Sequence, residues 1–513
     1  MSARFLSAAE AAGLIPDGAT VGLIGGGGGL CEASLLHEAV ETRFLASGAP
    51  RNLAVVHALG IGDRDRRGLS RFAHEGMVRK VIGGHWVWSP RMQALARENR
   101  IAAYVLPGGV VMQLLREIAA GRPGLFTHVG LGTFVDPDLD GGRMNAAATE
   151  TLVEKVSIGG RDYLRYLPFP IDVALIKGTA ADEDGNISLE EEPANLDSYA
   201  MAAAARNSGG VVIVQVRRKV PNGALSARSV RIPSVLVDVV VVDPEQRQGY
   251  GFAHDPAISG ERFMPEPPPP MPPLSVRQIV ARRAAMELRP GAVVNFGFGI
   301  PDEVATLIAA RGESGLYQRT IEHGTYGGTL LTGSLFGYAR NPACMIDGPS
   351  QFDFYSGGGL DIAFLGFGEV DIEGNVNVSR LGGDPVGPGG FIDIAQNARK
   401  VVFCGTFDAR GTDLGFGDGR LSVRRHGEVR KFVPAVDQIT FSGREAVRRG
   451  QEVLYVTERA VFRLTQAGIA LEEVAPGIDP VADNRDRMGF MPLAGAGLAG
   501  AGATMPEACF TGP

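Results

Sequence analysis

Short apolar runs rich in β-branched residues punctuate the chain: Leu53–Val56, Ala103–Leu106, Val173–Ile176, Val211–Val214, Val239–Val242, Val293–Phe296, Ile362–Leu365 and Val401–Phe403. They are continuous rather than alternating. Each therefore reads as a strand buried on both faces, as in a parallel sheet covered by helices. Between them the spacing of apolar positions predicts helices at Ala8–Leu14, Pro90–Glu98, Val276–Leu288 and Val304–Ala310. Strands interleaved with helices define an α/β protein. Ligands of such sheets gather at the carboxyl ends of strands, where two glycine loops fall, Gly22–Gly29 and Gly297–Pro301.

The pattern occurs twice. Asp17-Gly18-Ala19-Thr20-Val21 leads into the glycine run Gly25–Gly29 and a helix from about Glu32; Pro290-Gly291-Ala292-Val293-Val294 leads into Gly297-Phe298-Gly299 and a helix from about Asp302. Gly18 and Gly291 stand 273 positions apart. Deeper in each half, Asp172/Asp361, Ala174/Ala363, Gly185/Gly374 and Asn186/Asn375 all share one offset of 189. Identities at a common offset, in the same order, point to internal duplication. The proline cluster from Pro265 to Pro273 can form neither helix nor central strand and is read as an extended linker. The expected organisation is a first domain over 1–263, a linker over 264–275, a second domain over 276–492 carrying Glu322, and a flexible tail over 493–513 that includes the glycine/alanine stretch.

Composition narrows the class. A chain of 513 residues exceeds one ordinary core, and 45% hydrophobic with 21% charged residues is a soluble globular balance. The net charge of −7 disfavours a nucleic-acid partner, which needs a basic face. No apolar stretch approaches the roughly 18 residues of a membrane span, and Met1–Phe5 does not open a signal peptide. Cys31, Cys344, Cys404 and Cys509 lack metal-site spacing and suit a reducing, cytoplasmic setting, with Cys344 and Cys404 expected as buried thiols.

The candidate chemistry centres on Glu322, in Thr320-Ile321-Glu322-His323-Gly324-Thr325-Tyr326-Gly327-Gly328. A carboxylate at the mouth of a glycine turn can attack an activated acyl group and carry it covalently. Alone it reads equally as a polar strand end, and His323 as a hydrogen-bonded histidine. Gly297, Phe298, Gly299, Ile300 and Pro301 open a helix whose amides suit a phosphate. The first glycine loop is neither a Walker A nor a Rossmann fingerprint, and reads either as a plain connection or as a ligand loop. Asp184-Gly185-Asn186 and Glu373-Gly374-Asn375 lack the further ligands of a calcium loop and read as tight turns. Gly389 and Gly390 precede a helix and offer bare amides to a thioester carbonyl or its oxyanion. No metal site is expected.

With these residues assembled, the chain resembles the family I CoA-transferases, in the single-chain branch that includes short-chain acyl-CoA:acetate and propionate CoA-transferases. The likeness rests on Gly84-His85-Trp86, Leu106–Val110, Gly130–Pro137, Phe169–Ala174, Asn295–Pro301, Glu322-x-Gly-x-x-Gly-Gly, Gln351–Tyr355, Gly374–Asn377 and Gly387–Asp393. It implies two α/β domains of the CoA-transferase superfold, Glu322 as the covalent nucleophile, Gly297–Pro301 as a CoA contact, and Gly389-Gly390 as a CoA or oxyanion contact. Ping-pong transfer through a glutamyl-CoA thioester follows, with acyl-CoA and small carboxylic acids as substrates, no permanent cofactor, and a homo-oligomer (dimer or tetramer). Val87-Trp88 and Thr325-Tyr326 depart from the family pattern and bear on the acyl pocket. Two other readings stay open: a sugar-phosphate isomerase or deaminase-like enzyme, and a non-catalytic acyl-CoA or ligand-binding protein, on the same superfold.

Overall fold

The structure is a computed structural model describing residues 3–495 and 503–511. Contacts divide the chain into two units. The first runs to Met264 and includes Ile321–Phe354 and Gly382–Asp393; the second holds Pro265–Thr320, Tyr355–Leu381 and the chain from Ile394. The segment bearing Glu322 thus packs with the first unit, not with the chain that follows the prolines. A linear pattern of strands and turns gives no sign of such an exchange. Residues 263–275 form neither helix nor strand.

The first unit is built on eight parallel strands: β1 (Arg4–Phe5), β2 (Thr20–Leu23), β3 (Leu53–His57), β4 (Val78–Gly83), β5 (Ala102–Val105), β6 (Val173–Lys177), β7 (Val211–Val216) and β8 (Val239–Val242). Their order in the sheet is β1-β8-β7-β6-β2-β3-β4-β5, and every pairing is parallel. All residues of β3 and β6 are buried, as unbroken apolar runs require. Among its helices are α1 (Ala8–Gly13), α2 (Ser34–Ser47), α3 (Pro90–Arg97), α4 (Gly108–Ala119) and α5 (Ser198–Asn207). Ser7 and Glu10 close a reciprocal cap at the start of α1.

The second unit contains α6 (Val276–Ala285), α7 (Ile300–Ala310) and a sheet whose strands are β9 (Val293–Phe296), β10 (Gln318–Ile321), β11 (Ile362–Gly366), β12 (Lys400–Cys404), β13 (Glu452–Val456), β14 (Ala460–Thr465), β15 (Gly468–Val474) and β16 (Leu493–Ala494). Its order is β10-β9-β11-β12-β13-β14-β15-β16. The run β8-β7-β6-β2-β3 of the first unit is therefore repeated as β13-β12-β11-β9-β10. The likeness extends to single bonds. The Asp172 carboxylate accepts from the Thr20 N–H at 2.7 Å, and the Asp361 carboxylate from the Val293 N–H at 2.9 Å. Asp182 gathers the N–H groups of Asp184 and Asn186, and Asp371 those of Glu373 and Asn375. These are Asx turns, in keeping with the turn reading over a calcium loop.

Two expectations are corrected. Cys344 is exposed, because the strand that carries it, Ala339–Met345, is an edge strand of its sheet and is only partly buried. The tail is not loose where it is described: Leu493–Ala494 pair in parallel with Ala470–Leu471, Met505 N–H donates to Val474 O at 2.9 Å, and Met505, Cys509 and Phe510 are buried. Glycine and alanine dominate the intervening residues, and the apolar anchors beyond them dock by ordinary burial. The rest of the expected tail, 496–502 and 512–513, lies outside the described residues.

Candidate active site

Glu322 leaves the end of β10 on a turn that only glycine completes. Gly324 has φ +110°, and a Cβ there would lie 2.2 Å from Ile346 O. Gly324 O accepts from Ile346 N–H at 2.8 Å, which starts the hairpin of Thr325–Leu330 with Ala339–Met345. His323 is buried, with Nε2 at 2.6 Å from Gly337 O. Burial pushes its pKa down to about 4, so the ring is neutral and donates to that carbonyl. The bond ties the turn to Gly337.

Residues 386–393 form the opposite wall. Trp86 N–H donates to Val386 O at 2.8 Å, Gly389 N–H to Gly84 O at 2.8 Å, and Gly108 N–H to Gly389 O at 2.7 Å. The segment is stitched to the carboxyl end of β4 and to the start of α4, the edge where an α/β sheet keeps its ligands. Gly390 N–H donates to the Glu322 carboxylate. A Cβ on Gly390 would sit 2.0 Å from Glu322 Oε2 and 3.0 Å from the Phe352 ring. That position must be glycine for Glu322 to lie where it does.

Withdrawal from water pushes the Glu322 pKa up to about 7, opposed by the Gly390 N–H. Asp393, fully buried, accepts from Gly109 N–H at 3.1 Å. Its pKa is raised well above the ordinary carboxylate value, chiefly by burial and further by the nearby Glu322. Two neighbouring carboxyl groups, Asp393 buried and Glu322 half-buried, cannot both be comfortably charged. Sequence reading included Asp393 only as the end of a motif. Its pairing with Gly109, 284 positions away, leaves no local signal.

The first glycine loop is closed by protein. Added Cβ atoms at Gly27, Gly28 and Gly29 would fall 2.2 Å from the Trp88 ring, 2.3 Å from Ser334 O and 2.7 Å from the Tyr250 ring. Its glycines make room for aromatic packing, which resolves the open choice toward a packed connection. It also shows where the unusual Trp88 goes. Tyr326 packs toward Phe354, with ring centroids 6.5 Å apart.

In the second unit, Gly297–Pro301 joins β9 to α7. Gly297 N–H donates to Phe364 O at 2.8 Å and Gly299 N–H to the Asp302 carboxylate at 3.1 Å, while Pro301 has no N–H. Burial pushes Asp302 up to about 6. With a carboxylate already at this helix start, the loop is a poor phosphate cradle. Its outward feature is Phe298, 48% exposed. Among the described residues no cluster of His, Cys, Asp and Glu is arranged to hold a metal. No helix among them is long and apolar enough to cross a membrane.

Glu322 thus faces a backbone donor at a sheet edge, and sequence comparison gives the family. The chain belongs to the coenzyme A transferase family and is a CoA-transferase, an enzyme whose substrates are CoA thioesters. The family model described as "Coenzyme A transferase" matches residues 5–243. Over 489 residues the chain is 43% identical to the acetate CoA-transferase YdiF of Escherichia coli O157:H7, covering 95% of this chain and 92% of that one. Over 505 residues it is 44% identical to the caffeate CoA-transferase of Acetobacterium woodii, covering 97% and 96%. A crystal structure of the E. coli O157:H7 acyl-CoA transferase YdiF as a thioester complex with CoA superposes with a TM-score of 0.94 at 42% identity, covering 99% of this chain and 96% of that one.

Proposed function

We propose that the enzyme moves coenzyme A from a short-chain acyl-CoA to a carboxylic acid such as acetate, by ping-pong transfer on Glu322. The observation that carries this reading is the Gly390 N–H aimed at a Glu322 carboxyl held near neutral pKa. One carboxylate oxygen attacks the thioester carbonyl; its C–S bond breaks, leaving an acyl-glutamyl anhydride and CoA thiolate. The thiolate attacks the glutamyl carbonyl, the donor carboxylate departs, and a glutamyl-CoA thioester remains. An acceptor carboxylate reverses both steps, so no net proton or water is consumed and thioester energy is conserved.

Each attack creates an oxyanion, and a fixed backbone N–H stabilises it without reorganisation. Raising the carboxyl pKa makes its anion a better nucleophile near neutral pH. Phe352, buried beside Gly390, gives the corner an apolar wall. Gly389 and Gly390 serve here as the oxyanion contact, and the exposed Phe298 gives Gly297–Pro301 an apolar contact for CoA. Solubility, a cytoplasmic setting and a homo-oligomer belong to the same reading.

The acid is the open specificity question, since the chain is 43% identical to an acetate enzyme and 44% to a caffeate enzyme. Acetate is favoured by the close packing of Phe352 at Gly390. Two measurements test the whole. Incubation with acetyl-CoA should give an intact-mass increase of one CoA less water, abolished in Glu322→Ala. A panel of acetate, propionate and caffeate against acetyl-CoA or propionyl-CoA should rank acetate and propionate above caffeate. An enzyme that turned over with no adduct would sink the covalent route, and a caffeate preference would move the acceptor to aromatic acids.

A further inference from the structure

Helix α4 begins without a cap of its own. Its N-cap residue is Pro107, which has no side chain able to accept a bond. The first N–H groups of a helix must still find partners, and each here can be traced. Gly108 N–H goes to Gly389 O at 2.7 Å, Gly109 N–H to Asp393 Oδ2 at 3.1 Å, Val110 N–H to the same carboxyl, and Val111 N–H to Pro107 O at 3.0 Å. Three of the four therefore end on the five-residue stretch Gly389–Asp393, which for Gly109 and Asp393 is 284 positions away in the chain.

The Gly389–Gly390 peptide is the unit that matters. Its C=O takes the Gly108 N–H on one side, and its N–H points at Glu322 on the other. A hydrogen bond to the carbonyl of a peptide polarises its N–H, and the donor here is the positive end of a helix of 12 residues. Polarisation and aim both depend on holding the start of α4 in register with residues 389–390. Asp393, fully buried and joined to the next two N–H groups of that helix, is the one side chain among the acceptors traced for those N–H groups.

We propose that Asp393 is a positioning residue for transfer: by capping α4 from a distant part of the chain, it fixes the Gly389–Gly390 peptide so that the Gly390 N–H meets the oxyanion formed at Glu322. The inference rests on the reading of Glu322 as the acyl carrier. Direct removal of one oxyanion donor costs roughly 100- to 1,000-fold in kcat; acting through another group, Asp393→Ala should lose less, about 50-fold. Asp393→Asn keeps one acceptor oxygen and loses the second, so a fall of about 5-fold is expected. KM for acyl-CoA should stay within about 2-fold in both, since ground-state binding is untouched.

Wild type, D393A and D393N are compared by steady-state kinetics and by the single-turnover rate of CoA adduct formation per modified site. The graded fall in kcat, matched by the same fall in adduct rate, supports the proposal. Wild-type kcat in either variant overturns it. So does a reduced adduct yield with an unchanged rate per site, because that marks misfolded molecules rather than misaimed ones. If D393A does not accumulate, D393N decides on the same criteria. A wild type that turns over without any adduct would instead refute the reading of Glu322, which keeps the two failures apart.

Discussion

Glu322 carries a thermodynamic cost. Its ordinary pKa of 4.5 is raised to about 7 by burial. Between those values the native protein holds a proton that the unfolded chain has released, so stability falls as pH rises through that window. Glu322→Gln removes the cost. We expect it to raise the melting temperature by about 2–5 °C at pH 8 and to leave it unchanged at pH 4.5, as thermal melts at the two pH values will show. On the proposed route the same pKa governs the rate of adduct formation. Single-turnover adduct formation by wild type should climb about tenfold per pH unit below 7 and level off above it. A flat profile from pH 5 to 8 would mean that the attacking carboxylate titrates elsewhere. Gly390→Ala places a methyl 2.0 Å from Glu322 Oε2. On the proposed role of Glu322, kcat should fall by at least about 100-fold, with circular dichroism unchanged.

At the scale of elements, the two units repeat a bonding plan, and the repeat makes a quantitative forecast. Asp172 and Asp361 each hold a strand N–H at the same point of their sheets. Replacing either with alanine leaves that N–H without its acceptor, at a cost of about 1–3 kcal/mol. Urea unfolding should give the D172A and D361A variants losses that agree within about 1 kcal/mol. A loss in one alone would mean that the bonds are alike in form and unlike in weight. The eight apolar runs were all legible as strands, because continuous burial writes itself as a continuous apolar pattern. The helix starts at Ala8, Pro90 and Val276 were legible, whereas α7, after its glycine loop, begins at Ile300 rather than near Asp302. What could not be read was partnership across the chain. The cap of α4 by Asp393, and the aromatic rings filling the first glycine loop, join residues that share no periodicity. Glycine signals only that something comes close. It does not say whether the visitor is a ligand or a tryptophan.

For the molecule as a whole, the end of the chain behaves unlike its composition. Met505, Cys509 and Phe510 are buried, and Arg282 donates to Thr511 O. Phe510→Ala should destabilise by about 3–5 kcal/mol, the usual cost of emptying a buried aromatic position. Calorimetry would show it as a lowered or split transition, and a melt indistinguishable from wild type would mean that the segment is ornamental. Sequence did locate the nucleophile candidate and the loop that faces it, Gly389-Gly390, through the spacing of glycines around charged residues. It missed that both pack in one unit, because contact between residues 322 and 390 has no trace in either local pattern.

The donor that meets Glu322 is an amide of the main chain, present in every polypeptide and encoded by no particular side chain. Short of proline, mutation can crowd it or tilt it, yet cannot exchange it for a weaker chemical group. Drift in the surrounding walls can therefore retune which acid the enzyme accepts while the machinery of acyl exchange passes unaltered from one descendant to the next.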